Sequence, residues 1–170
     1  MFAVVVNGAP GAGKTVCLEA LSDALVKDEI SHAAIDVDEV AWAYPYPSDA
    51  ERIVLLRASW EAHRRAGHDL LLVAEVVESQ EALAGLLEAV GADDHLQVVL
   101  ESAPATLRKR IVEREAPDWS GLDHLLSEME RWAAALKTLD GAHARLDTDR
   151  LSPNEVAARI RAERPDQLGG

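Results

Sequence analysis

The chain has 170 residues, the size of one domain, and 48% of them are apolar, enough for a packed core. Its 30 acidic and 17 basic residues leave a net charge of −13, which argues against nucleic acid and anionic membranes as partners while leaving local anion binding open. No apolar run approaches the roughly 18 residues of a membrane span. A lone cysteine, Cys17, excludes an internal disulfide, and the first residues enter a strand without a basic leader, so a cytoplasmic protein is expected.

The run Phe2-Ala3-Val4-Val5-Val6-Asn7 is short, apolar and rich in β-branched residues, which predicts a buried strand. Residues Gly8, Ala9, Pro10, Gly11, Ala12, Gly13, Lys14 and Thr15 follow it and fit Gly-x-x-x-x-Gly-Lys-Ser/Thr at every fixed position. The glycines let backbone N–H groups turn inward around an anion. Lys14 is placed to reach the outer phosphates, and the Thr15 hydroxyl to bind Mg²⁺. Leu18, Leu21, Leu25 and Val26 then recur at helical spacing, so a helix dipole adds to the anion site. Strand, glycine-rich loop and helix together predict nucleotide binding. Cys17, inside that helix, reads as a small buried hydrophobe rather than a reactive thiol.

Ala33-Ala34-Ile35-Asp36-Val37 reads as strand two, followed by Asp38 and Glu39. In an open α/β sheet ligands bind beyond the carboxyl ends of strands. Two residues apart in extended chain, Asp36 and Asp38 would project the same way. One carboxylate suits a Mg²⁺ shell, and one suits the proton of an attacking hydroxyl or a substrate hydroxyl. Trp42-Ala43-Tyr44-Pro45-Tyr46-Pro47 puts three aromatics, stiffened by two prolines, directly after that turn. Trp42 and Tyr44 are expected to wall the pocket of an organic acceptor.

Ser48-Asp49-Ala50-Glu51 is a capping box opening a helix that runs to about Ala66 and stops at Gly67. Leu70 to Ala74 is a third strand, apolar on both faces and therefore central. It ends at Glu75, expected either to replace the aspartate that many phosphate-loop proteins use for Mg²⁺ or to contact the acceptor. Buried there, Glu75 should have a partner. Glu81 to Val90 is a helix closed by Gly91, and His95 to Leu100 is strand four.

Pro104 opens a helix through Arg114, on which Arg110 and Arg114 sit i, i+4 and share a face. Two guanidinium groups there suit the spread charge of a transferring phosphoryl group. Leu122, Leu125, Leu126, Met129, Trp132, Ala133 and Leu136 form the stripe of a long helix. Ala144 to Asp147 is a short fifth strand. Ser152-Pro153-Asn154-Glu155 caps a last helix, and residues 164–170 are expected to fray. Five strands alternating with helices predict one three-layer α/β domain over residues 1–170. The six histidines show no metal-ligand spacing.

On Gly8 to Thr15, the Asp36 and Asp38 pair, and the Leu107-x-x-Arg110-x-x-x-Arg114 pattern, the chain resembles the small phosphate-loop kinases. These include shikimate, gluconate and adenylylsulfate kinases and chloramphenicol phosphotransferase. A Leu146-Asp147-Thr148-Asp149 loop before the capped final helix adds to the likeness. The resemblance implies a parallel sheet of order 2-3-1-4-5 and a lid over about residues 110–121. It places adenine between that lid and the loop after strand five. It also implies phosphoryl transfer from ATP, with Mg²⁺, to a hydroxyl of a small molecule, Asp36 acting as base. No acceptor signature of shikimate, gluconate or adenylylsulfate kinase is present. A nucleoside or nucleotide kinase would need acceptor-side arginines, and residues 36–60 supply Arg52 and Arg57. A phosphate-loop ATPase or a nucleotide-binding protein without an acceptor is the remaining alternative.

Overall fold

A computed structural model describes residues 1–169. Strand β1 (Phe2–Gly8) lies at the centre of a five-stranded parallel sheet with β2 (Ala33–Asp36), β3 (Leu70–Glu75), β4 (Asp94–Glu101) and β5 (Ala144–Asp147), in the order β2-β3-β1-β4-β5. Strand β1 is buried along its whole length because both of its ladders and both of its faces are covered. The helices are α1 (Lys14–Lys27), α2 (Val37–Val40), α3 (Asp49–Arg65), α4 (Gln80–Val90), α5 (Pro104–Arg114), α6 (Leu122–Lys137), α7 (Pro153–Glu163) and α8 (Pro165–Leu168).

Successive strand residues feed two cores. Val4, Val6, Leu72 and Ala74 pack with residues of α1, α5, α6 and α7. Val5, Leu71, Val73 and Ile35 pack with Leu56 and Trp60 of α3 and with Leu83 and Leu86 of α4. This alternation is the period-2 pattern of a sheet covered on both sides, and it gives the three layers the sequence predicts. The first core also wraps around β4, where the adjacent Val98 and Val99 both belong to it. Both expected capping boxes form. Ser48 with Glu51 opens α3, and Ser152 with Glu155 opens α7.

Two local expectations need correcting. Strand two ends at Asp36 rather than Val37, because Asp36 turns the chain into α2: its Oδ1 accepts the Asp38 backbone N–H at 3.0 Å. Asp36 and Asp38 therefore do not share an extended face. The second correction concerns the tail. Residues Pro165–Leu168 form α8, and Leu168 is fully buried in the first core. Arg161 Nε donates to the Leu168 carbonyl at 3.0 Å, and Arg164 lies over the Phe2 ring at 4.6 Å while its Nη2 pairs with Asp94 at 2.9 Å. One apolar side chain and two arginines hold down a segment whose composition suggested fraying. Residues 164–169 are described; Gly170 lies outside the described residues.

Candidate functional site

The turn from β1 into α1 is built by glycine. Gly11 (φ 82°) and Gly13 (φ 92°) occupy the left-handed region, and a Cβ on Gly11 would lie 2.7 Å from the Leu107 carbonyl oxygen. Gly13 stands at the N-cap of α1 with no side chain bonded to the first-turn N–H groups, which leaves them to an anion. Lys14 is buried, and its Nζ donates to the Gly8 carbonyl at 2.9 Å across the loop. Burial lowers the pKa of its ammonium, opposed by the charges of Asp38, Glu75 and Asp36 nearby.

Thr15 ties this loop to the end of β2: its Oγ1 donates to Asp36 Oδ2 at 2.6 Å. Asp36 is itself largely buried and fixed at its other oxygen by the α2 turn. A hydroxyl and a carboxylate in contact at the mouth of a phosphate loop fit Mg²⁺, a hard cation that takes one or two protein oxygens and completes its shell with phosphate and water. Thr15 and Asp36 are the residues that would hold it.

Asp38 and Glu75 are joined by a residue the sequence reading left on the margin. One nitrogen of Arg52, Nη2 on the first turn of α3, donates to Asp38 Oδ1 at 2.7 Å and to Glu75 Oε1 and Oε2 at 2.9 and 2.8 Å. Glu75 also accepts the Val76 N–H at 2.8 Å. Burial pushes the Glu75 carboxyl up, and Arg52 acts against that shift. Glu75 thus has the partner its burial demands. Nothing in the spacing of residues 38, 52 and 75 announces this triad, which only the packing of α3 against β2 and β3 creates. Asn7 was missed for the same reason. Fully buried at the end of β1, it donates from Nδ2 to the Val77 carbonyl at 2.7 Å and accepts the Val77 N–H at 3.0 Å, pinning the segment beyond Glu75 to the strand before the phosphate loop.

The other expected site residues scatter more. Arg110 Nη1 donates to the Gly11 carbonyl at 3.2 Å and to Thr148 Oγ1 at 3.1 Å, and its Nη2 donates to the Thr148 carbonyl at 2.8 Å. It bridges the outside of the phosphate loop to the segment after β5. Arg114 is exposed and paired with Glu115 at 2.6 Å. Carbonyls thus hold Arg110 and a neighbouring carboxylate holds Arg114, while the charge of Arg114 still contributes to lowering the Lys14 pKa. Trp42, Tyr44 and Tyr46 are 89%, 89% and 76% exposed, and Tyr44 meets Tyr46 edge-on at 6.1 Å. They stand open on the loop from α2 to α3. Cys17 is buried, and burial pushes its thiol up to about 11, as suits a core residue.

Two cavities of about 370 and 500 Å³ lie elsewhere, one between α3 and α4 and one at the amino ends of the strands, and neither is lined by a phosphate-loop residue.

No family model and no curated protein matches this sequence. Solved structures do. The APS kinase of Mycobacterium tuberculosis, solved with AMPPNP and APS, is 21% identical with a TM-score of 0.64, over 95% of this chain and 95% of that one. The fold is that of the phosphate-loop kinases. A gluconokinase from Sinorhizobium meliloti (19% identical, TM-score 0.62, 98% of this chain and 93% of that one) shares this kinase fold. So does the tunicamycin resistance protein of Deinococcus radiodurans (19%, TM-score 0.64, 95% and 94%). At such identities the likeness speaks for the kinase fold, strand order included, and leaves the chemistry to the residues. No helix among the described residues is long and apolar enough to cross a membrane.

Proposed function

We propose that the chain is an ATP-dependent phosphotransferase that moves the γ-phosphoryl group to a hydroxyl of a small molecule. The contact between Thr15 Oγ1 and Asp36 Oδ2 carries this reading, because it sets a carboxylate from β2 beside the phosphate loop, where an acceptor would meet the γ-phosphate. Asp36, placed by that contact at the end of β2, acts as the base, and Asp38, held by Arg52, stands on the acceptor side. The acceptor hydroxyl passes its proton to Asp36 while its oxygen bonds to the γ-phosphorus. The bond from phosphorus to the β,γ-bridging oxygen breaks, and ADP leaves with that electron pair. When bound by Thr15 and Asp36, Mg²⁺ neutralises phosphate charge.

Lys14 holds the outer phosphates, and loop amides from Gly8 to Thr15 cradle the rest. Residues 110–121 act as the lid. Arg110 supports the loop from its adenine side, and Arg114 turns from Glu115 to the phosphates when the lid closes. Trp42 and Tyr44 stand on the acceptor side with Asp38 and Glu75. ATP supply suits a cytoplasmic setting. A nucleotide acceptor is disfavoured because Arg52 is committed to two carboxylates and Arg57 pairs outward with Glu61 at 3.0 Å.

The reading is tested by calorimetry with ATP and magnesium and by ADP release over a panel of alcohols. Lys14→Ala should abolish ATP binding, and Asp36→Asn should cut transfer about 10²–10⁴-fold. Binding of ATP by Lys14→Ala as tight as wild type, or undiminished transfer in Asp36→Asn, would count against it.

A further inference from the structure

We infer, resting on the phosphotransferase reading, that the acceptor carries a positive charge: it is an amino alcohol or amino sugar rather than a hydroxy acid or a phosphorylated alcohol. Three carboxylates, Asp36, Asp38 and Glu75, converge beyond the phosphate loop, and the one guanidinium among them, Arg52, bonds to two of them. Each other arginine around the site is also within 4.0 Å of a carboxylate. Arg110 is 3.8 Å from Asp149, Arg114 2.6 Å from Glu115, and Arg131 3.1 Å from Glu78, just beyond β3. Lys14 is held inside the phosphate loop and belongs to the nucleotide. An acceptor bearing a carboxylate or phosphate would find each of Arg52, Arg110, Arg114 and Arg131 already beside a carboxylate of the chain. It would also face the like charge of Asp36, Asp38 and Glu75 beside the γ-phosphate.

The aromatic loop points to the same class independently. Trp42, Tyr44 and Tyr46 follow directly on the short helix that carries Asp38, and the Asp38–Arg52 pair draws the far end of their loop, at the start of α3, back to the same place. All three rings are exposed, and the only ring–ring contact among them is the edge-on one between Tyr44 and Tyr46. Electron-rich aromatic faces attract an ammonium group and offer nothing to a carboxylate. Carboxylates beyond the phosphate loop and open rings on the loop next to Asp38 make a setting for a hydroxyl-bearing cation. The ammonium is not consumed in the reaction; it orients the neighbouring hydroxyl toward Asp36.

Two matched sets of probes test this with the full chain, ATP and magnesium: glucosamine, glucose and gluconate, and phenylalaninol, 3-phenylpropanol and phenyllactate. ADP release above the acceptor-free rate should fall from cation to neutral to anion in both sets, with the cation ahead of the anion by about tenfold or more at low salt. The ratio should narrow at high salt and in Asp38→Asn, or in Glu75→Gln should the first variant not fold. A flat response, or an anion that serves as well as its aminated counterpart, overturns the inference. Protein that phosphorylates gluconate best would refute the charge assignment and leave phosphoryl transfer standing. Protein that takes up no ATP would refute both.

Discussion

Replacing Arg52 by methionine keeps the aliphatic stem and removes the guanidinium. The side chains of Arg52 and Glu75 are 21% and 11% exposed, so their pairing is mostly desolvated. Removing one partner of a buried pair costs about 3–5 kcal/mol, and the residual solvent access here brings the expectation to about 2–4 kcal/mol. For a domain of this size that is a fall in Tm of about 6–12 °C for a loss near 3 kcal/mol. The loss should depend on pH in a stated direction. Burial already raises the Glu75 pKa, and Arg52, the chief opposing charge, is gone in the variant. A carboxyl whose folded pKa lies above its unfolded one favours the folded state at low pH and penalises it as pH rises through the folded value. The damage from Arg52→Met should therefore be largest near neutrality and shrink toward about pH 5. Glu75→Gln should cost less, and the double variant should be more stable than the sum of the single losses predicts, by at least about 1 kcal/mol. Urea and thermal melts of the four proteins at two pH values measure all of this. Additive losses, or a loss independent of pH, would refute the claim that Arg52 compensates a buried charge.

Gln97 is fully buried on β4 with neither side-chain amide atom bonded, so Gln97→Met should stabilise the fold by about 1–2 kcal/mol in the same melts; destabilisation would mean the amide is satisfied in solution. Leu168→Ala should cost about 1–2 kcal/mol, at the low end for a buried leucine because α8 can open locally; an unchanged melt would mean that the tail frays after all. Gly11→Ala places a Cβ against the Leu107 carbonyl at a left-handed φ, so it should cost about 1–3 kcal/mol and weaken calorimetric ATP binding; wild-type behaviour would show that the loop relaxes freely.

What could be read along the chain is what local pattern encodes. The phosphate loop is a contiguous motif, the strands are apolar runs, and the helix starts at Ser48 and Ser152 are four-residue signals; each of these forms in the structure. What could not be read is what distant segments impose on one another. Arg52 lies 14 residues from Asp38 and 23 from Glu75, and only the docking of α3 joins them. Asn7 meets Val77 across 70 residues. The i, i+4 spacing of Arg110 and Arg114 fixes a shared helical face, but their partners, Thr148 and Glu115, come from elsewhere on the surface or from the helix end. Asp36 shows the two kinds of information in conflict. A β-rich run suggested that the strand continues, and a side-chain cap on the Asp38 N–H ended it one residue sooner.

The Asp38–Arg52 bridge also has an evolutionary consequence. It staples the two stems of the segment carrying Trp42, Tyr44 and Tyr46, so the residues between the stems bear little of the domain's architecture. Such a stapled excursion can be lengthened, shortened or recoloured by mutation without disturbing the machinery that grips the triphosphate. Descendants of this scaffold could therefore change diet by rewriting a handful of surface codons.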